Sequence, residues 1–212
     1  MGGMKRLSSI KSVKNVLSTV SITDYTFKMK ATSSTMPTTE INGTAFTNTG
    51  AVTLFNDGTR GYVFNFTGAN YLTLSIPTPT LCSKSLWVST SIPTFNTGNC
   101  FSTTKFPIWF NGTLSLILNP CFTTTPAPLT SSTTQTITWI HYVMTMSATT
   151  MCMYVNGNLL TSRAVSGWSG DSANTVFGAY QTASYYKGYL DDMRLYPYTL
   201  TASQVSAIYT AG

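Results

Sequence analysis

The stretch KGYLDDMRLYPYTLTASQVSAIY, residues 187–209, decides how this chain is read. Between Tyr189 and Tyr196 apolar and polar residues alternate, the two-residue period of a half-buried strand. Thr201 and Gln204 then have the spacing of a capping box, in which each side chain satisfies a free backbone N–H at a helix start. Leu200 and Val205 flank that box as a hydrophobic staple, so a short helix is expected over about 201–209. Upstream, TMCMYVNGNLL (150–160) sets Asn156-Gly157 between two apolar runs. This pair is a strong hairpin signal, because a two-residue type I′ turn needs positive φ at both central positions. ITWIHYVMTM (137–146) and TVFGAY (175–180) read as further strands.

In this order the segments resemble the end of a laminin-G-like domain of the concanavalin A-like lectin/glucanase superfamily. The similarity lies in the tryptophan-led strand, the YVNG hairpin at 154–157, the GYLDDMRLY strand at 188–196 and the LTASQVSAIY helix at 200–209. FNFTGANYLTLSI (64–76) resembles the family's opening pattern more thinly, and the similarity covers about residues 51–211. The resemblance implies an all-β, two-sheet antiparallel jelly-roll sandwich used mostly for recognition and sometimes for glycan cleavage.

The residues alone agree with that architecture. AVTLF (51–55), GYVFNF (61–66), YLTLSI (71–76) and SLWVSTS (85–91) are short strands divided by Gly- and Asn-containing turns. Trp87 is expected as a buried core aromatic, with Trp109 and Trp139 as packing residues in neighbouring strands. PIWFNGTLSLILN (107–119) reads as a hairpin turning at Asn111-Gly112, and TTTPAPLTSSTT (123–134) as a long loop. A strand is expected at 25–30 within a turn-rich region, and the sandwich proper from about residue 51. One domain over 23–212 follows, preceded by a basic arm over 1–22.

Charged residues make up only 8% of the 212, while aromatics reach 13%, a composition that folds. Of the net charge of +6, Lys5, Arg6, Lys11 and Lys14 place +4 in the arm. The remaining eight basic and six acidic groups leave the body near neutral, without the basic face that nucleic-acid binding requires. The arm reads as a docking or disordered arm, as a contact with a membrane surface, or as a first strand or tag-like extension. Polar residues from Ser8 to Ser18 interrupt any signal-peptide core, and no run reaches the length of a transmembrane helix. Cys82, Cys100, Cys121 and Cys152 allow three disulfide pairings, among which the sequence does not choose. Sequons stand at Asn42, Asn65 and Asn111.

The chemistry argues against an enzyme. Glycosidases normally place two carboxyl groups across the scissile bond. Glu40 is the only glutamate, and the adjacent Asp191 and Asp192 point to opposite faces of a strand. His141 is the only histidine and reads as a structural member of its sheet. No zinc constellation exists, and no cofactor is expected. Calcium at Asp191 and Asp192, which some relatives bind, is set against a structural role in which one acid bonds loop backbone and the other faces solvent or Arg194. For ligand contact the candidates are Trp168, Asp171 and Asn174 in one loop and Tyr185 and Tyr186 in another, against packing of those loops on the sandwich edge.

Two function classes remain. One is a carbohydrate- or glycoprotein-binding module of the lectin type. The other is a structural virion component, a minor capsid or surface protein contacting neighbouring capsid proteins, since similar stand-alone domains occur in large DNA viruses. Either places the protein at a particle or cell surface.

Overall fold

The computed structural model describes residues 22–89, 98–110, 116–118, 129–130, 139–180 and 183–212. In chain order the strands begin with β1 (Phe27–Met29), β2 (Phe46–Thr49), β3 (Thr53–Asn56), β4 (Tyr62–Thr67) and β5 (Tyr71–Leu74). The long β6 (Cys82–Ser89) follows, then β7 (Gly98–Ser102), β8 (Ile108–Phe110), β9 (Leu116–Leu118) and β10 (Leu129–Thr130). The C-terminal part supplies β11 (Ile140–Met146), β12 (Thr150–Val155), β13 (Asn158–Ala164), β14 (Thr175–Phe177), β15 (Lys187–Tyr196) and α1 (Ala202–Ala211). They form two antiparallel sheets. The eight-stranded sheet runs β13-β12-β11-β6-β15-β4-β3, with β1 also on β15, and the seven-stranded sheet runs β10-β9-β8-β7-β14-β5-β2.

The core lies between the sheets because each strand turns alternate residues inward. Phe64, Phe66, Leu86, Tyr142, Met144 and Leu190 from the larger sheet meet Leu72, Leu74, Phe101 and Phe177 from the other, all at most 1% exposed. Phe101 and Phe177 sit opposite one another with ring centroids 4.6 Å apart. Phe27 closes the cluster, 5.8 Å from Phe101 and 5.6 Å from Phe177. The sandwich therefore begins well before residue 51. β1 pairs with β15 through Phe27↔Leu195, and β2 borders the smaller sheet against β5. Each is three or four residues long, too short for periodicity to mark its depth in the fold.

A second apolar cluster covers the outer face of the larger sheet, where Val143, Tyr154 and Tyr196 pack beneath Val205 and Ile208 of α1. The helix starts at the Thr201–Gln204 capping box, and the staple residues Leu200 and Val205 both lie in this cluster. Trp87 belongs to this outer face rather than to the inter-sheet core. It stacks on Tyr209, centroids 5.7 Å apart, because it follows the inward Leu86 on β6 and must point the other way. Asn156 (φ +48°) and Gly157 (φ +80°) close the β12–β13 hairpin as a type I′ pair. β8 and β9 pair as expected, while their turn at Asn111-Gly112 lies outside the described residues, as do the arm cations Lys5, Arg6, Lys11 and Lys14.

Candidate functional site

The outer face of the seven-stranded sheet carries a continuous uncharged strip. Leu72 and Leu74 of β5 face the core, so Tyr71, Thr73 and Ser75 line the opposite face, spanning about 14 Å at the usual strand rise of about 3.4 Å per residue. Registry sets Thr47 and Val176 on either side of Thr73, and Thr49 beside Tyr71. At one end the Ser75 hydroxyl donates to Asn174 Oδ1 at 3.4 Å. At the other, the ring of Tyr185 lies 6.3 Å from that of Tyr71 at 32°. Tyr71, Thr73 and Tyr185 are half-buried, and Ser75 and Asn174 are exposed. No member of β2, β5 or β14 is charged.

Beyond Ser75 and Asn174 the sheet ends in a cleft of about 400 Å³, lined by Pro77–Thr80, Lys105 and Ser169–Ser172. Its base is tightly braced. Thr78 and Asp171 exchange two backbone hydrogen bonds of 2.8 Å. Gly170 adopts φ +82° there, and a Cβ would stand 2.8 Å from the Thr78 carbonyl oxygen, so glycine is needed twice over. The Asp171 carboxylate accepts from Lys105 N at 2.6 Å, Ala173 N at 3.0 Å and the Thr104 hydroxyl at 2.9 Å. Burial pushes its pKa up, but the Ala173 and Lys105 amides and the Thr104 hydroxyl outweigh burial and hold it below the usual carboxylate range.

Five ligand candidates from the sequence thus take different places. Trp168 is 7% exposed, packs on Phe106 and donates its indole N–H to the Thr80 carbonyl at 2.6 Å, so it braces the cleft from below. Asp171 is 4% exposed and holds the same loop together. Tyr186 lies in the core, its hydroxyl donating to Ser89 O at 3.0 Å. Asn174 and Tyr185 stand at opposite ends of the strip. Tyr71, Thr73 and Ser75 of the strip are not among the sequence candidates, although they are the non-core positions of YLTLSI.

The groups with latent chemistry are buried elsewhere. Ser85 Oγ lies 2.9 Å from His141 Nε2, but both residues are at most 1% exposed and His141 Nδ1 has no partner. Burial first, and then the Arg194 charge, lower the His141 pKa to about 3, too low for a general base near neutrality. Of the sequence expectation for this pair, the partnership with Arg194 holds for Asp192, whereas neither acid bonds loop backbone or faces solvent. Asp191 accepts from Arg60 Nε at 2.9 Å, and Asp192 pairs with Arg194 and, at 3.6 Å, with Lys28. A bulge between Asp191 and Arg194, with Asp192 at φ +47°, makes Asp192 the extra residue between inward Leu190 and Met193, so the two acids do not fall on the opposite faces that strict alternation predicts. Among the described residues no three His, Cys, Asp or Glu side chains group as a metal site, and Cys82, Cys100 and Cys152 are free thiols.

Several solved structures share this architecture. The binding domain of Paraclostridial Mosquitocidal Protein 1 aligns with a TM-score of 0.76 and 11% identity over 90% of this chain and 52% of its own. The botulinum neurotoxin serotype D binding domain aligns at 0.69 and 14%, over 89% and 52%. Domain 4 of AbnA, a GH43 extracellular arabinanase from Geobacillus stearothermophilus in complex with arabinotriose, aligns at 0.65 and 20%, over 81% and 92%. The chain spans about half the length of the toxin binding domains, and at these identities the likeness is one of fold. No curated protein sequence matches the chain. A laminin-G-type family model, described as concanavalin A-like lectin/glucanases superfamily, matches residues 80–206. That match takes in more than half of the chain and agrees with the two-sheet sandwich, and the chain belongs to the concanavalin A-like lectin/glucanases superfamily.

Proposed function

We propose that this domain is a non-catalytic recognition module that binds a glycan, free or on a glycoprotein, along the outer face of β5. The observation that carries the reading is the uncharged strip, in which a tyrosine pair and hydroxyl side chains run in line over about 14 Å. Sugar rings present an apolar face to an aromatic and hydroxyl groups to short polar side chains, and such a strip offers both. The complex of the AbnA domain with arabinotriose supports a glycan ligand for a sandwich of this shape.

Cleavage is disfavoured by where the acids lie. Glu40 is occupied by Lys28 N at 3.1 Å and Thr44 N at 2.9 Å, and Asp57 accepts from Arg60 N at 2.6 Å and from Trp139. Asp171, Asp191 and Asp192 are buried, which leaves Asp24 as the one exposed acid. A carboxyl pair flanking a bond on the strip has no members to draw on.

The test is a glycan array with the purified protein, followed by calorimetry on the strongest hit for wild type and Tyr71→Ala. Tyr71 lies on the outer face, so its loss should weaken binding by about 1–3 kcal/mol, as for an aromatic hot spot, with little change in melting temperature. Size-exclusion chromatography runs beside it. Assembly into multimers with no glycan retained would instead favour a structural particle component.

A further inference from the structure

The cleft beyond the strip differs from it in one respect: it presents a charge. Lys105 is exposed, and no carboxylate among the described residues lies within ion-pair distance of its ammonium. Thr80, Ser169 and Ser172 add exposed hydroxyls along the same wall. The Thr78 hydroxyl, 2% exposed, is buried in the wall without a hydrogen-bond partner. The nearby negative charge, on Asp171, lies beneath the surface and is already met by two backbone N–H groups and the Thr104 hydroxyl. Behind it stands the buried Lys84, whose ammonium senses Asp171, so this end of the sandwich keeps a positive balance. One exposed cation and several hydroxyl side chains thus line a cleft whose base is the Thr78–Asp171 bridge.

The cleft is continuous with the strip along the chain. Ser75 is two residues from Pro77, and Asn174 is two residues from Ser172. We propose that the glycan bound on β5 carries an acidic group, a carboxylate or a sulfate, on the sugar at its Ser75–Asn174 end, and that this group enters the cleft beside Lys105. The inference rests on the reading of the strip as a glycan platform. Neutral units lie over Tyr71 and Thr73, where a charge would find no partner, and the oxyanion takes hydrogen bonds from the Lys105 ammonium and the serine and threonine hydroxyls. The bracing by Asp171 and Trp168 fixes the backbone at Lys105 and Thr80, which lowers the part of the ordering cost of binding that falls on the chain there.

The test is an array of paired trisaccharides, each neutral compound printed beside its counterpart with a terminal uronate and one with a terminal sulfate. The acidic members should bind about 3- to 10-fold tighter, with the gap narrowing as salt is raised. Lys105→Gln, at an exposed position, should keep the melting temperature and the neutral binding while the gap disappears. The uronate and sulfate arms tell which oxyanion is preferred. Equal binding within every pair, or a gap that survives Lys105→Gln, would overturn the inference and leave the glycan platform standing. Acidic binding that depends on Lys105 but is indifferent to Tyr71→Ala would leave the cleft as an oxyanion site and overturn its link to a glycan on β5. Binding of no compound at all would remove both.

Discussion

Lys84 tests how the interior of this sandwich is held. It is fully buried between the sheets, its Nζ donates to the Phe106 carbonyl at 2.7 Å, and it lies 4.7 Å and 5.0 Å from the Phe101 and Phe106 ring centroids. Among the described residues no carboxylate is within ion-pair distance, and burial lowers its pKa from 10.5 to about 8. A lysine whose folded pKa is depressed binds fewer protons folded than unfolded, so stability rises with pH between about 8 and 10.5. At about 1.4 kcal/mol per pKa unit the rise is about 3 kcal/mol. Lys84→Met removes this slope, but leaves the Phe106 carbonyl without its donor at about 1–2 kcal/mol. The variant should therefore be about 1–2 kcal/mol more stable than wild type at pH 7 and less stable at pH 10.5. Urea denaturation of both proteins across pH 7 to 10.5 measures the crossing, and groups that titrate alike in both cancel in the difference. Parallel pH profiles would show that the buried ammonium costs nothing and that the reasoning is wrong.

Three further outcomes follow from buried groups. Arg60→Gln strips the partner from a fully buried Asp191 and should cost about 3 kcal/mol in chemical denaturation, with part recovered by adding Asp191→Asn. Trp168→Ala should lower stability by about 3–5 kcal/mol whether or not ligand binding changes, and Trp168→Phe by about 1 kcal/mol through the lost indole hydrogen bond to Thr80. His141 is held neutral by burial down to about pH 3, whereas an unfolded histidine protonates near 6.5, so stability falls as pH drops through that window. His141→Gln should flatten this part of the acid-unfolding profile.

Local patterns were legible wherever neighbours in sequence are neighbours in space. The capping box at Thr201, the staple of Leu200 and Val205, and the Asn156-Gly157 turn were written in the residues because a helix start and a two-residue turn depend on a few adjacent dihedrals. The alternation in YLTLSI likewise separated Leu72 and Leu74 from Tyr71 and Thr73, so the face that now carries the strip stood in the sequence unrecognised as a site. Trp168 shows the opposite case. A tryptophan among glycines and serines reads either as a ligand contact or as packing on the sandwich edge, and the neighbours that decide for packing, Thr80 and Phe106, lie far away in the chain. Asp191 and Arg60 are 131 residues apart, and the bulge that seats both acids is a property of a strand paired with three others. Sequence thus determined the strand and helix grammar and the superfamily resemblance, which rest on period and turn chemistry. Which aromatics are buried, where each carboxylate finds its counter-charge, and that Asn174 and Tyr185 end one strip were decided by tertiary structure alone, because burial and electrostatics depend on residues that only the two packed sheets bring together.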